Sequence, residues 1–375
     1  MKMMKKSLMK LFVGFIILAS CFPAQREQEP PMPTLTPVLL TATITPTKPS
    51  HQYINPLTGL AVKDPQVLER RPVAVKVSND PRPMRPQWGL SLADIVYEYY
   101  TEWGKSRFIA IYYGQDSPMV APIRSARFFD ENIIQMYKAV LAYVGADERV
   151  LTRFKKRPYW ERIISEWPHG CPPICRYDPK MWNHAFTNTA ILSQFFTKLG
   201  IDNQRQPLEG MSFSDQPPQH GSAAFIIQVR FSPYTYGEWA YDFLTNNYVR
   251  SQDKEDDLGN GEVFEILNDR VTGEVVDADN VVILLVPYEY IVKKEQTEVV
   301  NAELLGKGRA LLFRDGQVFD VQWKRPSRDA VLHLVDSNGN TVNFKPGRTW
   351  FEVMGVTTSI HQLSHGVYRF EFAIP

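Results

Sequence analysis

Two arginines three residues apart, in Ala121-Pro122-Ile123-Arg124-Ser125-Ala126-Arg127, form the densest grouping of chemistry-bearing side chains in this 375-residue chain. Guanidinium forks match the paired oxygens of a carboxylate or phosphate, so Arg124 and Arg127 are read as ligand-binding candidates for an anion. The plainer alternative is that both pair with local acids such as Asp130 and Glu131, or lie solvated. His184, in Asn183-His184-Ala185, is a further candidate as acid/base group or anion donor, although a lone loop histidine is more often a structural hydrogen-bond donor. Asp94, Glu98 and Arg107 complete the set. The two acids have the chemistry of general bases, and Glu98 and Arg107 lie on opposite arms of a hairpin whose register the sequence does not fix, where they could face each other as an ion pair or a reacting pair.

The elements that must position these groups are legible around them. Arg107 to Tyr113 is β-branched and aromatic and stops at Gly114, the signature of a strand. Ala93 to Tyr100 alternates in its core, and Glu102-Trp103-Gly104-Lys105 reads as the turn joining the two. Arg71 to Val77 is another strand. After the arginines, Phe129, Ile133, Met136 and Val140 recur at helical spacing, and Pro122 bars a helix from starting earlier. Ser125 is therefore predicted as the N-cap, which would set Arg124 and Arg127 beside unpaired N–H groups and a positive dipole end. Ala142 to Gly145 is expected as a short buried strand. Arg149 to Trp167 is basic and aromatic, with Arg153, Lys155, Lys156 and Arg157 together, a solvated face or a surface for an anionic partner.

The ends of the chain say where it works. Residues 1–20 carry four lysines, no acid and an apolar run from Leu11 to Ala19, the layout of a secretory signal too short to span a bilayer. Cys21, after Leu18-Ala19-Ser20, resembles the lipobox cysteine that bacteria acylate, which implies a membrane anchor made of lipid chains. Residues 21–50 are rich in proline and threonine and read as a disordered tether. Removing the four lysines of the signal takes the formal charge from +1 to −3, which argues against a nucleic-acid partner. The remaining cysteines, Cys171 and Cys175, are expected to form a disulfide in an exported protein; too few other ligands accompany them for a metal site, and no cofactor is expected. No Walker loop, Gly-x-Ser-x-Gly elbow or His-Glu-x-x-His is present. The folded part divides at the proline- and glycine-rich 216–221 into residues 51–215, with both strands and helices, and residues 222–375, dominated by strands.

Taken together, Arg85-Pro86-Gln87, Ala93-Asp94-Ile95-Val96-Tyr97-Glu98, Pro122-Ile123-Arg124-Ser125-Ala126-Arg127, Tyr248-Val249-Arg250 and Gly347-Arg348-Thr349-Trp350 resemble the YerB-like lipoprotein family, a bacterial group with a two-part domain of unknown function. The resemblance covers nearly all of the exported part. It implies an α+β fold, with a layered β-β-α sandwich N-terminal domain and a β-rich C-terminal domain, on an exported lipoprotein, and it supplies no reaction. The chain departs from the family at three places. Tyr143-Val144-Gly145-Ala146-Asp147 stands where a His-x-Gly-Gly-Ser turn is usual, Asn183-His184-Ala185 replaces Pro-His-Asn, and Leu267 occupies a histidine position.

Three functions follow as expectations. The first is an extracytoplasmic, lipid-anchored protein that binds an anionic envelope polymer or peptide through Arg124 and Arg127, with a wall polymer or an envelope protein as partner. The second is an enzyme: the arginine loop, helix and short strand resemble the layout of LytR-CpsA-Psr phosphotransferases, which would need Asp94 or Glu98 as base and a divalent metal on a pyrophosphate. The third is a structural scaffold whose arginines pair internally.

Overall fold

The computed structural model describes residues 53–181 and 183–374. Cys21, the signal and the tether lie outside them. The described residues fall in one compact unit, which is mostly sheet with few helices, 43% strand against 14% helix.

Five strands and two helices of the first half bear on the candidate residues. They are β1 (Val73–Ser78), β2 (Ile95–Glu102), β3 (Lys105–Tyr112), α1 (Asp130–Met136), β4 (Val140–Tyr143), α2 (Glu148–Lys155) and β5 (Ile163–Ser165). β1 pairs antiparallel with β3 and parallel with β4, and β4 pairs parallel with β5. β3 returns to β2 through the predicted hairpin. β2 then pairs in parallel with Thr349–Gly355, and that strand with Asn280–Val286, so the sheet runs without a break into the second half of the chain. These strands read as near-continuous apolar runs because both faces of the sheet are covered.

The hairpin register has a consequence for the candidate residues. A β-bulge between Tyr100 and Glu102 shifts the pairing by one residue, so Tyr99 faces Arg107 and Glu98 faces Phe108. Side chains alternate along a strand, so Glu98 and Arg107 project from opposite faces of the sheet and do not meet. On the first face, Tyr97 and Tyr99 pack against Phe129 at the start of α1, with ring centroids 6.1 and 4.4 Å apart. There the Lys76 ammonium is fully buried, bonded to the Tyr99 hydroxyl and 3.3 Å from Asp130.

The opposite face carries Glu98, Trp350 and Glu352, and the strands Thr235–Asp242 and Asn247–Asp253 bring Trp239 and Arg250 against it. Glu98 and Glu352 are direct neighbours across the β2 ladder, buried, with Arg250 as the cation they share. Arg250 lies 2.7 Å from Glu98 and 3.4 Å from Glu352. Burial, and then repulsion from Glu98, push the Glu352 carboxyl up to about 8 against the pull of Arg250. The folded protein thus keeps a proton that the unfolded chain releases above its ordinary carboxyl range. The stabilising share of that proton is complete at low pH and is lost as pH rises from the unfolded value of 4.5 toward about 8. Glu352→Gln is expected to flatten this fall. Urea midpoints for both proteins across that interval check it, and parallel curves would refute it.

Candidate functional site

β1, β4 and β5 run in the same direction, and their carboxyl ends lie at Ser78, Tyr143 and Ser165. The β1–β4 ladder spans only Val73 to Val75 on the β1 side. Beyond it the two strands part, and residues 122–126 wedge between them. Ser78 N–H donates to the Pro122 carbonyl at 2.9 Å and Arg124 N–H to the Lys76 carbonyl at 2.9 Å. On the other side, Val144 N–H donates to the Arg124 carbonyl and Ala126 N–H to the Gly145 carbonyl, each at 3.0 Å. A crevice at the carboxyl ends of parallel strands is where open sheets of this kind take ligands.

That wedge corrects the N-cap expectation. Ser125 is spent in the bridging segment, and α1 begins at Asp130, with Phe129 at the N-cap and Asp130 and Glu131 in its first turn. Asp130 accepts the Arg127 N–H at 2.8 Å, so the start of α1 is occupied by its own acids. The helix also ends at Met136, and Val140, the last member of the helical pattern, opens β4.

The two arginines have different fates. Arg127 holds both carboxylate oxygens of Glu102, with Nε 2.6 Å from Oε2. Arg107 reaches the same carboxylate at 2.7 Å and donates to the Ser125 carbonyl at 2.9 Å, which fixes the wedge from below. Burial would raise the Glu102 carboxyl, but Arg107 and Arg127 outweigh it and hold the group below its usual range. Arg124, by contrast, makes no ion pair among the described residues; its Nε donates to Ser78 Oγ at 3.3 Å. Burial, and the proximity of Arg127 and Arg124, bring Arg107 down to about 10. Arg107 and Arg127 thus share Glu102, and the nearest acids to Arg124 are engaged by other cations, Asp80 by Lys105 at 2.9 Å and Glu166 by Arg176 at 2.5 Å, which leaves the Arg124 guanidinium able to take an incoming anion.

Arg124 lines a cleft of about 480 Å³ together with Ser125, residues 143–146, Leu151, Lys155, Trp160 and the turn after β5. Gly145 has φ +72°, a conformation that disfavours a side chain, and the Ser125 hydroxyl is 3.4 Å from where a Cβ would stand. The departure from the family's usual turn therefore falls on the wall of this cleft. Lys155 comes from the basic run noted in the sequence. Its neighbours Arg153 and Arg157 are committed to Glu131, at 2.5 and 2.9 Å.

The other candidates lie elsewhere. His184 stacks on Tyr177, centroids 4.4 Å apart, with Nδ1 3.6 Å from Asp178, and does not line the Arg124 cleft. Asp94 is buried and accepts from the Tyr113 and Gly114 amides at 2.5 and 2.8 Å and from Asn55 at 3.0 Å. Burial raises its carboxyl to about 6 despite those bonds. Glu98 faces Arg250. Among the described residues no group of three or more His, Cys, Asp or Glu side chains is arranged to hold a metal. Cys171 and Cys175 stand 4.6 Å apart at Cα, within disulfide range. Sequence reasoning missed Glu102 as the clamp on two arginines, and it left Lys155, Trp160 and Trp167 in an undivided basic and aromatic run.

Comparison with known proteins bears on both halves. Residues 57–202 match the model described as "Protein of unknown function (DUF3048) N-terminal domain", and residues 227–351 match its C-terminal counterpart. The chain is 27% identical over 315 residues to "Putative lipoprotein YerB" of Bacillus subtilis, covering 80% of this chain and 85% of that protein. It is also similar to the crystal structure of the YerB protein from Bacillus subtilis, with a TM-score of 0.67 and 26% identity, over 80% of this chain and 96% of the other. Among the described residues, no helix is long and apolar enough to cross a membrane.

Proposed function

The chain belongs to this family of unknown function, carrying both its N- and C-terminal domains, and on that premise we propose that it is an exported lipoprotein that binds an anionic ligand of the cell envelope in the Arg124 cleft. The observation that carries the binding half is the Arg124 guanidinium, which lines the cleft and makes no ion pair among the described residues, while Arg107 and Arg127 share Glu102. Arg124 and Lys155 contact the ligand. Arg127 and Arg107 hold the wedge that presents Arg124, so they are positioning residues. His184, Asp94 and Glu98 stand outside the cleft, and no catalytic step is assigned to them.

The test is equilibrium binding of purified anionic wall polymers. Arg124→Ala is expected to weaken binding at least about tenfold, the loss of one charge-assisted hydrogen bond. A folded Arg124→Ala protein that binds as well as the parent would remove this reading and leave the scaffold alternative.

Anchoring rests on the acylation of Cys21 in its lipobox-like setting, in keeping with the name of the Bacillus relative. Cells fed a palmitate analogue should label the wild-type protein and leave Cys21→Ser unmarked. Equal labelling of the two would place the anchor elsewhere.

A further inference from the structure

We infer that the ligand of this cleft is an anionic saccharide, its charged group on Arg124 and Lys155 and the apolar face of a sugar ring laid against the Trp167 indole. The inference rests on the binding reading above and adds the class of ligand. Trp167 also lines the cleft, and it is 84% exposed. Other large apolar side chains of the chain are as open, Leu244 among them, but Trp167 stands on the wall of the cleft that Arg124 and Lys155 also line.

The indole is presented by a braced backbone. It follows β5 directly, in the turn Glu166–His169, where its own φ and ψ of −104° and 131° depart from helical values. The preceding Glu166 is held by Arg176 through two bonds of 2.5 and 2.6 Å. The following His169 packs edge-on against Phe195 at 5.5 Å. A braced backbone lowers the entropy cost of using the indole that it carries. The same Arg176 contact matters for charge: Glu166 lines the cleft, but its carboxylate is already neutralised, so the cations facing the cleft are left to the ligand.

The chemistry of the cleft then narrows its occupant. A simple inorganic anion would satisfy Arg124 and leave the Trp160 and Trp167 surfaces untouched. A purely apolar ligand would bury the guanidinium without a partner, which is costly. A sugar bearing a phosphate or carboxylate answers both, because its ring has an apolar C–H face and its hydroxyls can meet the Ser125 hydroxyl and the exposed backbone around Gly145.

The experiment uses the full-length protein in detergent and titration calorimetry with three probes: N-acetylglucosamine 1-phosphate, inorganic phosphate and AMP. The wild type is expected to bind the sugar phosphate about fivefold or more tighter than phosphate, the size of one ring contact. Trp167→Ala should erase that preference and leave phosphate affinity within about twofold; since the side chain is exposed, folding is not at stake. Arg124→Ala should weaken both probes. A sugar preference that survives Trp167→Ala overturns the saccharide assignment. So does AMP binding more tightly than the sugar phosphate with the same dependence on Trp167, which would mean that a base is stacked there. If neither phosphate probe binds at millimolar concentration, or Arg124→Ala changes nothing, the anion-binding reading fails instead.

Discussion

Arg250→Leu is expected to cost about 3–5 kcal/mol of stability, the penalty for stranding a buried charge. Arg250 is 2% exposed and Glu98 and Glu352 are fully buried, so neither acid can turn to water when the cation is removed. The guanidinium also lies over Trp239 and Trp350, 5.2 and 5.7 Å from the ring centroids, and the leucine would lose that attraction. Gly237 shows how closely the site is built: a Cβ there would come within 2.2 Å of the Arg250 Nη1. Adding Glu98→Gln and Glu352→Gln to Arg250→Leu should recover much of the loss, since the charge problem disappears with its three members together. Denaturant unfolding reads both effects. A single variant within about 1 kcal/mol of the wild type would show that Glu98 is neutral or hydrated as well as the protonated Glu352, and that Arg250 is dispensable.

Glu102→Leu has the second large effect. It leaves Arg107 and Arg127 facing each other beside Arg124 with no carboxylate between them, a loss on the order of 3 kcal/mol. The same change makes the region hungrier for anions. Phosphate should therefore raise the unfolding midpoint of the variant more than that of the wild type, because a ligand at a hundred times its dissociation constant adds about 2.7 kcal/mol. Thermal melts with and without phosphate at constant ionic strength measure this. Equal shifts in the two proteins would show that Glu102 does not govern the charge balance at the cleft.

Both clusters were only half readable beforehand. The hairpin of β2 and β3 announces itself through aromatic and β-branched runs around Trp103-Gly104, and those runs are where the strands fall. Which face Glu98 and Arg107 take depends on a single bulge near Thr101, and one extra residue in a ladder leaves no mark in local periodicity. The start of α1 is hidden from the sequence for a related reason. Ser125 has the chemistry of an N-cap, but backbone groups of Lys76, Ser78, Val144 and Gly145 claim residues 122–126 first. Those partners lie as much as 48 residues away in sequence for Arg124 and Lys76, beyond any short window. The arginines were conspicuous by type and spacing; their division into one committed and one open side chain depended on Glu102, which the sequence offered only as part of a turn.

The ladder joining β2 to Thr349–Gly355 also bears on how such a gene can be cut. A message ending near residue 215 would encode a polypeptide whose β2 has lost the neighbour on its outer side. A row of backbone donors and acceptors would then stand open along an apolar strand, an invitation to pair with any passing chain. Glu98 would lose Arg250 in the same stroke. Shortened versions are expected to aggregate along that edge.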